Sequence, residues 1–361
     1  MTSAAPRPRA VRHRPSRVGA HGRALGTAAL AITLSVALAG CAGSDTIATG
    51  SRPSAGQAPG TSLTQRAALA LASLPGYQPP AALGNGSRGR PLLGADGDIT
   101  WTVYDQQNKP IDNYDPKQQV AWGSGSEYTE IPGVLTFRGN NARSAPSFGT
   151  ANITDKKLSI AWTHDIGAVS ADGSYFPGAG WTGQPLLVKW PADTKKAMKL
   201  TAAQVADPAF VEVIYPVFDG SVYRLSLADG SVTRPKIEGK WGFKGTGSID
   251  PRGYPLLYAG QGLNENGNEK GPWQYHVFDL IQNKQVAKIS GTDDVSHRQD
   301  PVGWGAFDSS ALIDRRSDTL IEPGENGIVY KAKLNATFDA KAGKVSVKPE
   351  LTKMTYRTPV S

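Results

Sequence analysis

The sequence predicts an all-β fold, with short antiparallel strands grouped into four-stranded sheets around an axis. Three observations carry that expectation. The first is Val211 to Val232, VEVIYPVFDGSVYRLSLADGSV, where apolar and polar residues alternate around Asp219-Gly220 and Asp229-Gly230. An Asp-Gly pair between such runs signals a tight primed turn, because glycine takes the required positive φ freely. The second is recurrence. Gly-Ile-Val-Tyr-Lys in ENGIVYKAKL, around Gly327, falls over Gly-Ser-Val-Tyr-Arg, and a fainter copy, YHVFDLIQNKQV, lies between them. The strand-ending Leu227, Leu280 and Leu334 are 53 and then 54 residues apart. The third is the near absence of long amphipathic helices beside 41 glycines and 26 prolines. A regular period of this size, with several strands per unit, is the mark of a β-propeller.

The elements follow in chain order. Residues 1 to 23 carry six arginines (Arg7, Arg9, Arg12, Arg14, Arg17, Arg23) and no acid. Seventeen uncharged residues, Ala24 to Gly40, come next. That is short for a spanning helix and suits the core of a signal peptide. From residue 24 onward 33 bases face 31 acids, so the net charge of +8 belongs to the leader and gives no reason to expect nucleic acid. Leu38-Ala39-Gly40-Cys41 resembles the lipobox of bacterial lipoproteins. The resemblance implies a signal peptide over 1–40, acylation of Cys41, and a chain held at the cell membrane by lipid, facing the extracytoplasmic side. The alternatives are an ordinary signal peptide with a chance cysteine, or a signal anchor. Cys41 is the single cysteine, so disulfides and Cys-x-x-Cys zinc sites are excluded.

Residues 41–97 read as a disordered Ala/Gly/Ser/Pro tether, with Tyr77 its one aromatic and a marginal helix from Thr64 to Leu74. The folded body is expected over 98–361, since all eight tryptophans lie between Trp101 and Trp304. Ile99 to Asp105 reads as the first arm of a hairpin. Lys157 to Gly167 alternates Leu158, Ile160 and Trp162, as an outer or closing strand would. Trp181 to Val188 is a short apolar strand, and Lys189 to Phe210 a charged insertion forming one helical turn or two. In the strand after Gly220, Val222, Leu225 and Leu227 lie among Ser221, Arg224 and Ser226, so it reads as half-buried. Blades are expected over 181–239, 245–291 and 305–349, with residues 99 to 167 supplying strands of a preceding one. About four blades leave raw sheet edges. Either the N-terminal strands close a small ring or the propeller is incomplete, and the spacing favours the second.

The unit DGSVYRLSLADGSV is similar to the repeat of quinoprotein-type, pyrroloquinoline-quinone (PQQ)-like β-propellers. LTFRGN, WTGQPLLVKWP, SIDPRGYPLLYAGQG, WGAFDSSALI and PGENGIVYKAKLN also resemble bacterial, often lipid-anchored, members of that family, over about residues 130 to 356. The resemblance implies an exported binding or scaffold protein of the cell envelope. Quinone dehydrogenases of the family hold their cofactor with a vicinal disulfide and a calcium site. A chain with one cysteine cannot form that disulfide, and no matching Glu, Asn and Asp set is visible. No cofactor is therefore expected.

Candidate chemistry is sparse. Asp293, Asp294, Asp300 and Asp308, with His297 and Arg298, form either an acid/base or cation site or a solvated loop with turn-capping aspartates. Gly262 to Gly271, GLNENGNEKG, offers calcium-type oxygens but lacks EF-hand spacing and reads as a hairpin tip. The glycines of GKWGFKGTG have no helix after them, which removes the phosphate-cradle reading. Beyond Cys41 there are three histidines, His164, His276 and His297, widely separated, and no Gly-x-Ser-x-Gly elbow. What remains is surface. Trp181, Trp241, Trp273 and Trp304 sit in or beside turns. With Arg252, Arg298 and Asp308 they outline a ligand face, Trp181, Arg252, Arg298, Trp304 and Asp308, suited to a protein or glycan partner. The first reading is thus non-catalytic binding. The second is an extracytoplasmic enzyme, carbohydrate-active or quinone-dependent, with its site in a central funnel.

Overall fold

A computed structural model describes residues 100–116, 120, 122–180, 183–293, 295 and 303–357. The leader, Cys41, the tether, Trp181, Asp294, His297, Arg298 and Asp300 lie outside the described residues.

The described chain is mostly antiparallel sheet. It opens with β1 (Thr100–Tyr104) and β2 (Gly133–Val134), then the hairpin β3 (Ala168–Ala171) and β4 (Ser174–Pro177), then β5 (Leu186–Val188). Two short helices follow, α1 (Ala192–Ala197) and α2 (Ala202–Ala206). Next come β6 (Glu212–Pro216), β7 (Val222–Ser226), β8 (Ser248–Ile249) and β9 (Leu256–Gly260). A small hairpin, β10 (Glu265–Asn266) and β11 (Glu269–Lys270), precedes β12 (Gln274–Asp279) and β13 (Lys284–Ser290). The run ends with β14 (Leu312–Asp314), β15 (Thr319–Pro323), β16 (Ile328–Lys333), the hairpin β17 (Thr337–Asp339) and β18 (Lys344–Ser346), and β19 (Glu350–Arg357).

Three meander sheets carry the fold, ordered β2-β5-β6-β7, β8-β9-β12-β13 and β14-β15-β16-β19-β1. The 53- and 54-residue spacing falls on equivalent strands, since Leu227, Leu280 and Leu334 directly follow β7, β12 and β16. The turns repeat in atomic detail. Gly220 N donates to Val217 O at 3.1 Å and Val217 N to Ser221 O at 3.0 Å; Gly327 N donates to Gly324 O at 3.3 Å and Gly324 N to Ile328 O at 2.9 Å. Gly220 (φ 84°) and Gly327 (φ 81°) are the left-handed residues. Each loop therefore has three residues and ends on the glycine, whereas a two-residue primed turn needs positive φ at both positions. Asp219 Oδ1 and Asn326 Oδ1 accept from the amide two residues on, at 2.8 and 3.1 Å, which is why an Asx residue precedes each glycine.

Several expectations are corrected by long-range contacts. The fourth strand of the third sheet is β19, reached after the β17–β18 hairpin, so that unit runs past residue 349. Residues 99 to 167 do not supply a preceding blade. β1 lies outside β19, pairing Trp101 with Tyr356, and β2 lies inside β5. The closing strand expected from Lys157 to Gly167 is not formed; those residues make no ladder, and Leu158 and Ile160 stand 88% and 82% exposed. Trp162 alone is anchored, its indole N–H donating to Leu227 O at 2.9 Å. All five residues of β7 are buried rather than half-buried.

The first strands of the sheets converge on a filled centre. Ile249 N donates to Leu135 O at 2.8 Å, and Ser248 Oγ reaches Thr136 Oγ1 (2.9 Å) and Ala311 O (2.8 Å). Arg143 ties Thr136 Oγ1 (2.9 Å) to Ser310 O (2.7 Å). Leu135, Thr136, Ser248 and Ala311 are fully buried, so the LTFRGN stretch occupies the place where a funnel was expected. The apolar core continues through all three sheets, with Leu186, Ile214, Tyr258, Tyr275, Phe307 and Tyr330 among its members.

Candidate functional site

The expected ligand face divides. Trp304 and Asp308 come together through Glu325. The Trp304 indole N–H donates to the Glu325 carboxylate, Lys244 Nζ bonds the Asp308 carboxylate, and Trp304 stacks against Trp273 at 5.0 Å. Burial pushes the Asp308 carboxyl up to about 6, with Lys244 opposing the rise and Glu325 adding to it. Arg252 belongs to another cluster. It bonds Asp250 (2.8 and 2.6 Å) and Asp318 (2.8 Å) and lies over the Tyr254 ring at 4.4 Å. Its guanidinium is thereby committed to two carboxylates of its own neighbourhood. Asp293, from the expected carboxylate group, is paired with Lys353 at 2.8 Å. Gly262 to Gly271 contains the β10–β11 hairpin, whose Asn266 and Glu265 accept from Ser170 N and Asp172 N at 3.3 and 3.0 Å. Among the described residues no three His, Cys, Asp or Glu side chains are grouped to hold a metal, and no helix is long and apolar enough to cross a membrane.

A cavity of about 520 Å³ lies elsewhere, between the segment that links the first two sheets (Pro235 to Phe243) and the outer half of the second sheet. It falls within the usual range for small-molecule sites. Its wall holds Trp241, Phe243, Gln261, His276 and Phe278, with Lys236, Lys240 and Lys284 around the mouth. The sequence places these residues for plain reasons. His276 and Phe278 are alternate residues of β12 and so share one face, stacked at 5.4 Å and 14°. Phe243 meets both edge-on, at 5.6 and 6.0 Å. Gln261 follows β9, its main chain bonded to Gln274 O (3.1 Å) and from Phe307 N (2.8 Å).

The polar atoms in this wall are left over. Gln261 is fully buried, yet neither its amide oxygen nor its amide nitrogen has a partner. His276 Nδ1 lies 2.7 Å from Gln285 Oε1, which places the ring proton on Nδ1; Nε2 then keeps its lone pair and has no partner. Burial lowers the imidazole pKa to about 4, so the ring is neutral at physiological pH and Nε2 is an acceptor. Buried polar atoms are nearly always satisfied, and three orphans in one wall distinguish the cavity from core.

No family model matches the chain, and no curated protein matches it. Among solved structures it is similar to BamB from Moraxella catarrhalis, at 14% identity and a TM-score of 0.23. That match covers 52% of each chain, so the protein spans about half the length of that relative.

The sequence reading missed this site. Gln261 and His276 are 15 residues apart and Trp241 is 20 residues before Gln261, with no motif linking them. The one local signal was Trp241 within a glycine-rich connection.

Proposed function

We propose that the protein is an exported, lipid-anchored β-propeller-type binding protein of the cell envelope, non-catalytic, with its ligand site in the cavity between the first two sheets. The observation that carries the binding role is the set of orphaned atoms on Gln261 and His276 in an aromatic wall. Such a wall costs free energy when empty and regains it when a ligand supplies the hydrogen bonds. The envelope address rests on Leu38-Ala39-Gly40-Cys41 after an Arg-rich leader. The propeller reading rests on equivalent β7, β12 and β16 in three successive meanders. The test is a calorimetric screen of the full-length protein against saccharides, amino acids and short peptides, beside Gln261→Leu and Trp241→Ala. Binding that both variants lose supports the reading; no binding from any class rejects it.

A second reading is favoured by Asp308, whose carboxyl at about 6 could donate a proton near neutral pH beside Glu325. On this reading the protein hydrolyses a glycoside. Turnover of 4-nitrophenyl glycosides, lost in Asp308→Asn, would establish it, and absence of turnover in the unaltered protein would dismiss it.

A further inference from the structure

We infer that the cavity between the first two sheets takes an acidic saccharide, a sugar ring bearing a carboxylate. The inference rests on the binding reading above and adds the chemistry of the ligand.

The platform comes first. Trp241 packs its indole directly on Gly271, where a Cβ would fall on the ring atoms, and it remains half-exposed in the cavity wall. A flat, partly solvated indole suits a sugar ring, which presents a face of C–H bonds with hydroxyls at its edge. Phe243 and Phe278 continue the apolar surface inward.

The hydrogen-bonding complement is the second argument. Gln261 offers a carbonyl oxygen and an NH₂ group, and His276 Nε2 offers a lone pair. That is two acceptors and one two-proton donor in the same wall. A hydroxyl both donates and accepts, so neighbouring hydroxyls on a ring match such a mixed set. A ligand with carbonyls alone would leave both acceptors unsatisfied.

Charge gives the third. Lys236, Lys240 and Lys284 stand at the mouth against one lining carboxylate, Glu238. Lys236 reaches Glu238 at 3.6 Å and Lys240 reaches Glu269 at 2.8 Å, both across exposed, screened distances. Lys288 is close enough to disfavour protonation of His276. The field at the mouth is thus positive, and it selects an anion while the interior selects hydroxyls.

A peptide fits less well. Extended peptides bind by adding main-chain bonds to a free strand edge. At this lip Ile237 N and O are already spent on Val222, at 3.0 and 2.9 Å, and Phe243 N on Val217 O at 3.1 Å.

The experiment is titration calorimetry on the purified full-length protein with three acidic sugars: glucuronic acid, trigalacturonic acid and N-acetylmuramic acid. Two controls accompany them, the methyl ester of trigalacturonic acid and a tetraglutamate peptide. The expected result is binding of at least one acidic sugar, weakened at least fivefold in Lys236→Gln/Lys284→Gln and abolished in Gln261→Leu. The surface double variant keeps the test decisive should Gln261→Leu fail to fold. Equal binding of the acid and its ester overturns the acidic part and leaves a sugar-binding cavity. Binding of tetraglutamate alone overturns the saccharide and leaves a binding cavity. Acidic-sugar binding that survives both Gln261→Leu and Trp241→Ala places the ligand elsewhere and overturns the cavity reading too. No heat with any of the three sugars overturns the inference.

Discussion

Replacing Arg224 with methionine gives the sharpest test of how the sheets are held together. Arg224 and Glu212 are wholly buried, and they meet through two contacts, Nε to Oε1 at 3.0 Å and Nη2 to Oε2 at 3.2 Å. The same guanidinium crosses to the second sheet's turn, donating to Leu280 O (2.8 Å) and Asn283 Oδ1 (3.3 Å). Glu212 also accepts from Trp190 Nε1 (2.7 Å) and Thr233 Oγ1 (2.6 Å). Methionine fills similar volume but removes the charge, leaving a buried carboxylate with two neutral donors and a buried carbonyl with none. Removing one partner of a buried pair costs about 3–5 kcal/mol. The orphaned Leu280 carbonyl adds about 1–3 kcal/mol. The sum is about 4–8 kcal/mol, a large part of the ~5–15 kcal/mol available to an ordinary domain. Urea unfolding at pH 7, followed by tryptophan fluorescence, measures it. Adding Glu212→Gln to Arg224→Met removes the uncompensated charge and should recover about 1–3 kcal/mol. An Arg224→Met protein within about 1 kcal/mol of wild type would refute the view that this pair joins the first two sheets.

Other outcomes follow from the same structure. Burial pushes the Glu322 carboxyl up to about 8 from 4.5, outweighing Ser309, which donates to it at 2.6 Å, and Arg143. Its folded value lies above the unfolded one. The stability it contributes is complete below about 4.5 and falls away as pH rises to and beyond about 8. Glu322→Gln should flatten that fall and exceed wild type by ~3 kcal/mol at pH 9; parallel pH profiles for the two proteins would contradict it. Gly220→Val and Gly327→Val should each cost about 1–3 kcal/mol in chemical denaturation, since β-branched residues are penalised at positive φ. Two neutral substitutions would separate the turns from the repeat. Cys41→Ser should abolish labelling by a fatty-acid analogue and leave an unprocessed precursor, and persistent labelling would end the lipoprotein proposal.

How much was legible beforehand depends on the distance over which each feature is decided. The turn glycines could be read because an Asx-Gly pair specifies its own backbone within four residues. The helical insertion was legible for a similar reason: Thr201 and Gln204 form a capping box, each accepting the other's amide, at 3.2 and 3.0 Å. Burial of β7 was not legible. Arg224 looked solvent-facing by its alternation, and it is interior because Glu212 and Leu280, 12 and 56 residues away, neutralise it. Of the ligand face, the pairing of Trp304 with Asp308 passes through Glu325, which carried no signal of its own.

The sequence by itself determined the all-β class, the 53- and 54-residue register, the left-handed turns, the exclusion of disulfides and the lipobox-like leader. Each of these is local, or is a comparison of one stretch with another. Only the tertiary structure decided that β1 joins β19, that Leu135 and Thr136 fill the centre, and that Gln261 and His276 share a wall with Trp241. Those facts depend on which sheets pack together. Packing is set by the summed fit of many weak apolar contacts, and such a sum leaves no short signature in the order of residues.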